Sequence, residues 1–193
     1  MKNKGIATFC PANPLEWRQW LIDNHQSKQA VWLIYYKKKA NIGTITWSEA
    51  VDEALCFGWI DSVRKSGDGD TFIQFFSKRK PNSGWSKINK GKVLGLIDNG
   101  LMAKAGLDSI EIAKQNGSWT LLDDVEELKI PEDMAEAFGN HRGSEAYFLS
   151  LSKSVRKAVL QWLVTAKRPE TRTKRIAEIA ELAVRHQKPK QFS

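Results

Sequence analysis

Residues 78–89, KRKPNSGWSKIN, gather the side-chain types that could hold an anion. Arg79 can grip a phosphate or carboxylate through two parallel hydrogen bonds, and Lys78, Lys80 and Lys87 add diffuse positive charge. Trp85 offers a flat stacking face. Ser86 stands where a helix start would leave N–H groups open to an anion. Cations interleaved with an aromatic also suit single-stranded nucleic acid. The same residues have a plain structural reading, a solvated basic loop whose Trp85 anchors it to a core.

A second constellation is Trp59, Asp61 and Arg64. On a strand, alternate side chains share a face, so Trp59, Asp61 and Val63 should point one way and Ile60, Ser62 and Arg64 the other. An aromatic beside a carboxylate could floor a ligand site. The competing reading has Trp59 filling the core and Asp61 bonded to backbone groups or an arginine. A third set is cationic: Arg156, Lys157, Lys167, Arg168, Arg172, Lys174 and Arg175. Of these, Arg168, Arg172 and Arg175 are the phosphate-contact candidates. Proline at 169 and the lack of a recognition helix weaken a helix-turn-helix reading, and cations before Pro169 also complement a helix dipole.

Other chemistry finds little support. His25, His141 and His186 are isolated, and Cys10 and Cys56 lie far apart, so no zinc spacing arises. Asp68 and Asp70 lack the rest of a calcium loop. Gly91-Lys92 is not a P-loop, and neither a nucleophile elbow nor a dinucleotide fingerprint occurs. No cofactor and no metal is expected.

The elements that must position these residues follow from local pattern. Thr46 and Glu49 form a capping box. Ala50, Val51, Ala54 and Leu55 then give an apolar helical stripe, and Gly58 stops the helix. Asn13-Pro14-Leu15-Glu16 opens an earlier helix with Trp17, Trp20 and Leu21 inward and His25 near its end. Residues 30–36, 59–64 and 71–77 read as strands of a small antiparallel sheet, the last two joined by a Gly- and Asp-rich hairpin loop. Ile88, Val93, Leu96 and Ile97 suggest a following helix, and Leu107, Ile110 and Ala113 another. The remainder reads as helical: Pro131 opens one helix, 143–151 supplies Tyr147 and Phe148, and Pro169 breaks the next before a last helix from Thr171. The fold class is thus α+β, with a domain over 1–120, a connector at 121–130, a helical segment at 131–186 and a frayed tail at 187–193.

The 193-residue chain carries a formal net charge of +8, with 41% hydrophobic and 27% charged residues. That composition is of a globular chain able to bury a core, and its charge permits anionic partners without naming one. Cys56 reads as a small core residue. No apolar run is long enough for a membrane span. The basic N-terminal start leads into an apolar part too short for a secretory signal and broken by Pro11, so a cytoplasmic location is expected.

Three stretches, EALCFGWIDS at 53–62, RKPNSGWSKIN at 79–89 and SLSKSVRKAVLQWLVTAKRPETRTKRI at 150–176, resemble the YdeI/OmpD-associated, or bacteriocin-protection, family. Lys78 departs from the proline that often precedes the arginine there. The resemblance implies a bacterial or archaeal protein, linked by name to resistance against antimicrobial peptides or bacteriocins and to an outer-membrane porin. It brings no agreed reaction or catalytic residue. The leading expectation is a non-enzymatic binding or stress-protection protein whose partner is an unknown protein or small anionic ligand. A nucleic-acid or phosphate-ligand binder is the alternative, and an enzyme using Asp61 or Glu53 as acid or base comes third.

Overall fold

Residues 5–192 are described by a computed structural model. The basic start at 1–4 and Ser193, the end of the expected tail, lie outside the described residues. The chain divides into two compact units, Met1–Trp119 and Thr120–Ser193.

The first unit contains β1 (Thr8–Phe9), α1 (Pro14–Asn24), β2 (Ala30–Tyr36), α2 (Trp47–Cys56), β3 (Trp59–Ser66), β4 (Thr71–Lys78), α3 (Lys87–Asp98) and α4 (Lys104–Gln115). The sheet order is β1-β2-β4-β3. The three expected strands pair antiparallel as anticipated, but β1 runs parallel to β2, so the sheet is mixed. A two-residue strand gives no alternation to read.

One sheet face carries Val31, Leu33, Tyr35, Trp59 and Phe76 into a core shared with Trp17 and Leu21 of α1 and Ala50, Val51, Ala54 and Leu55 of α2. Each fully buried side chain of this size contributes about 1.5–3 kcal/mol relative to exposure. Trp17 also donates from Nε1 to Ala50 O at 3.0 Å, which satisfies its one polar atom inside the core. The capping box is present as read, with Thr46 accepting from Glu49 N and Glu49 accepting from Thr46 N.

Two local expectations fail in this unit. The register between β3 and β4 shifts between Asp61 and Arg64. The extra residue flips the alternation, so Arg64 opposite Gln74 shares the face of Asp61 opposite Phe76, not that of Ile60. In α3 and α4, Val93, Ile110 and Ala113 are buried, but Ile88, Ile97 and Leu107 are exposed. The inward face of α3 is shared with a polar contact instead: Lys92 meets Asp52 of α2 at 2.5 Å.

The second unit is helical: α5 (Asp123–Glu126), α6 (Glu132–Gly139), α7 (Ser144–Ser150), α8 (Lys153–Val164) and α9 (Pro169–Val184). Met134, Phe138, Phe148, Val159, Leu160, Leu163, Ile176, Ile179 and Ala180 form its core. The stretch read as a connector contributes Leu122 and Val125 to that core. Pro169 opens α9 at its first position, where a missing N–H costs nothing. The expected frayed tail forms a 3₁₀ turn at Lys190–Phe192, with Phe192 edge-on to Trp162 at 5.8 Å. No described helix is long and apolar enough to cross a membrane.

Candidate functional site

The end of β4 delivers two cations to one place. Lys78 N donates to Gln29 O at 3.1 Å, and Arg79 N donates to Gly58 O at 2.9 Å. Those two bonds tether the strand exit to the turns after α1 and α2. Gly58 holds φ +71°, the left-handed region in which glycine is unstrained, and a Cβ there would lie 2.9 Å from Ala105 O. Beside it, a Cβ on Gly106 would fall 2.3 Å from Cys56 O. The end of α2 and the start of α4 therefore meet backbone to backbone, as only two glycines allow.

Next to this joint lies an open cleft of about 300 Å³, with Lys78 and Arg79 on one side, His25, Phe57 and Trp59 on another and the Ala105, Asp108, Ser109 and Ile112 face of α4 opposite. Arg79 is its most unusual member. Its guanidinium lies 3.7 Å over the ring of Trp85, a cation–π contact on a fully buried aromatic. Nη2 donates to Gly84 O at 2.6 Å. Nε and Nη1 are buried without a hydrogen-bond partner, and no carboxylate pairs with the group among the described residues. Burial of the uncompensated charge pushes its pKa down to about 10.

The neighbours are held by backbone. Lys78 Nζ donates to Gln26 O at 2.8 Å. His25 Nδ1 bonds Leu21 O at 2.8 Å, and because a carbonyl only accepts, Nδ1 carries the hydrogen and Nε2 is the ring's open atom. The ring packs on Phe57 at 5.2 Å. Asp108, the one acid of the lining, is taken by Lys104 at 2.7 Å. The basic loop itself is fixed, since Asn116 Nδ2 and Ser118 Oγ both donate to Pro81 O at 3.0 Å. Trp85 then packs against Trp119 at 5.0 Å.

The other sequence-derived candidates fall elsewhere. Trp59 is fully buried in the core while its edge lines the cleft. Asp61 Oδ2 accepts from Trp47 Nε1 at 2.9 Å and Gln74 Nε2 at 3.0 Å, away from the cleft. Arg64 lies over Phe72 at 3.9 Å. Ser86 caps α3 by accepting from Asn89 N at 3.2 Å, and Lys87 is exposed on its first turn. In the second unit, Arg172 makes a two-pronged pair with Asp133 at 2.6 and 2.8 Å. Arg175 donates to Trp162 O and lies over that ring at 4.6 Å, while Arg168 is exposed at the start of α9. Of the residues the sequence singled out for anion or ligand contact, Trp59, Lys78 and Arg79 line the cleft, and Trp85 stacks on Arg79.

His25, Phe57, Asp108 and Ser109 are among the cleft residues that the sequence did not single out as a site. His25 and Gly58 were visible as helix-end residues, but nothing local brings them to Arg79. Among the described residues no group of three His, Cys, Asp or Glu could hold a metal ion. Cys10 is exposed and Cys56 buried, both as free thiols.

Residues 9–109 match the family described as a domain of unknown function (DUF8412). Residues 127–186 match the family described as "Bacteriocin-protection, YdeI or OmpD-Associated". Neither the curated proteins nor the solved structures contain a match to this chain. The chain thus belongs to the DUF8412 family through its N-terminal unit and carries a bacteriocin-protection, YdeI or OmpD-associated segment in its C-terminal unit.

Proposed function

We propose that the N-terminal unit is a non-enzymatic binding module for a small anionic ligand, held in the cleft at Arg79, within a stress-protection protein. One observation carries this: a guanidinium that is desolvated, stacked and oriented, yet has two nitrogens without acceptors and no acid to neutralise it. A buried cation left in that condition is costly, and an incoming anion would both pair the charge and fill the open donors. Lys78, which no carboxylate pairs among the described residues, adds to the attraction. The nucleic-acid alternative draws on the net charge of +8, but Arg172 and Arg175 are already occupied within their own unit.

The test is NMR of the nitrogen-labelled protein titrated with phosphate, sulfate, acetate and citrate at about 0.15 M salt, where exposed charges are screened within about 8 Å. Saturable shifts at Arg79 Nε and the Gly58 amide, absent in Arg79→Met, are expected with at least one anion. Shifts scattered over surface lysines and unchanged in Arg79→Met would sink the proposal. Oligonucleotides run in parallel would promote the alternative if their affinity survived that salt, since phosphate-backbone binding falls steeply with ionic strength.

A further inference from the structure

We infer that the anionic group taken by this cleft is a phosphate monoester on a small body, not a carboxylate. The inference rests on the anion-binding reading above and concerns the same site. A carboxylate is planar and carries one charge, and a single edge of an arginine satisfies it. The cleft offers more than that, and from more directions. Arg79 lines the cleft at the exit of β4, with Nε and Nη1 buried and unpartnered and the guanidinium over Trp85. Lys78 brings a second full charge, its Nζ held at Gln26 O by one of three hydrogens with the other two unspent. His25 brings Nε2 from the end of α1, its tautomer fixed by Leu21 O.

Two uncompensated cations in one lining call for about two negative charges, and a phosphate monoester carries about −1.5 to −2 at neutral pH. Its tetrahedral oxygens accept from several sides at once, as donors from separate elements require. The one acid of the lining does not oppose the charge, because Asp108 is paired with Lys104 at 2.7 Å.

The size of the site limits the rest of the ligand. A cleft of about 300 Å³ sits at the lower end of small-molecule sites. Phe57, Trp59 and Ile112 give it apolar walls, so the phosphate is expected to carry a compact body with an apolar side.

The probes are phenyl phosphate and benzoate, which share a ring and differ in the anion, with inorganic phosphate as the group without a body. Binding to the full chain is read by NMR shifts at Arg79 Nε and Gly58 and by calorimetry. Phenyl phosphate should bind about tenfold or more tighter than benzoate, in line with charge-assisted bonds to a second cation. Lys78→Gln, at a half-exposed position where loss of folding is not expected, should remove most of that preference while leaving benzoate nearly unchanged. Inorganic phosphate should bind more weakly than phenyl phosphate, by the loss of ring contacts. Benzoate binding as well as phenyl phosphate, or a preference that survives Lys78→Gln, overturns the phosphate inference and leaves anion binding intact. No shift at Arg79 or Gly58 with any of the three overturns both.

Discussion

In the C-terminal unit Arg172 meets Asp133 through two hydrogen bonds of 2.6 and 2.8 Å, and Arg175 caps Trp162 O while lying over that ring. In the N-terminal unit Arg79 lies over Trp85 in the same manner, with no acid beside it. The wider charge balance runs the same way. Residues 1–119 hold 17 Lys and Arg against 11 Asp and Glu, and residues 120–193 hold 13 against 11. The helical unit buries one guanidinium nitrogen without a partner, Arg156 Nε, whereas Arg79 in the sheet unit leaves two, over a tryptophan ring and at a cleft. Stacking on tryptophan is common to both, so it is the missing partner that distinguishes a candidate site from a structural contact.

The largest expected effect comes from taking away the support beneath that cation. Trp85 is 1% exposed, so Trp85→Ala should cost about 3–5 kcal/mol. Urea unfolding measures the loss. The anion-induced shift at Arg79 Nε should weaken with it, because the guanidinium would no longer be held flat. Anion binding that persisted unchanged without Trp85 would break the comparison, since stacking would then contribute nothing to the readiness of Arg79.

A smaller effect separates the two arginines directly. Arg172→Met leaves Asp133 without its cation, and the pair is only half-buried, so a loss of about 1 kcal/mol is expected. Arg79→Met removes a buried charge whose compensations among the described residues are Trp85 and Gly84 O, so stability should equal that of the parent or rise. The sign can be checked in alkali. Burial pushes the Arg79 guanidinium down to about 10, well below the ordinary arginine range. Above about pH 10 the unfolded chain therefore holds the proton that the folded one gives up, and the Arg79 contribution should grow more favourable as pH rises. Equal losses in the two variants would mean that Arg79 is as structural as Arg172.

Much of this frame is legible in the residues, and the limits of legibility are physical. β2 occupies the predicted 30–36 because its aromatic and β-branched run is short and bounded by polar residues. The cap of α2 reads directly from Thr46 and Glu49 because the partners are three residues apart. The bulge that turns Arg64 onto the face of Asp61 depends on how β3 meets β4, so alternation along one strand could not reveal it. Arg79 stood out as a cation beside a tryptophan, but its burial and the absence of an acid are properties of the folded neighbourhood. His25 and Asp108 reach the cleft from α1 and α4, far from Arg79 in sequence. The reading of Asp61 as a ligand residue has a similar limit, since the Trp47 and Gln74 groups that bond it come from two other elements.

The smallest expected effect compares how the two units hold a carboxylate. Glu49 is kept below its ordinary range first by the backbone N–H of Thr46 and then by the hydroxyl. Asp133 is kept below its own by hydrogen bonds from Arg172, against some desolvation. Both folded values are depressed, so both carboxylates contribute stability that is present above the unfolded pKa and lost as pH falls through the folded one. Side-chain NMR in an acid titration should place both midpoints low. Thr46→Ala should raise the Glu49 midpoint only by the hydroxyl's share, since the backbone N–H stays, at a cost of about 1 kcal/mol, the usual worth of a cap, and Arg172→Met should return Asp133 toward its ordinary range. Added salt should raise the Asp133 midpoint more than that of Glu49, because its partner is a full charge and the other's are dipoles. A salt response equal in size at both sites would show that Arg172 acts on Asp133 as a hydrogen-bond donor alone, and would narrow the difference between the units to Arg79 itself.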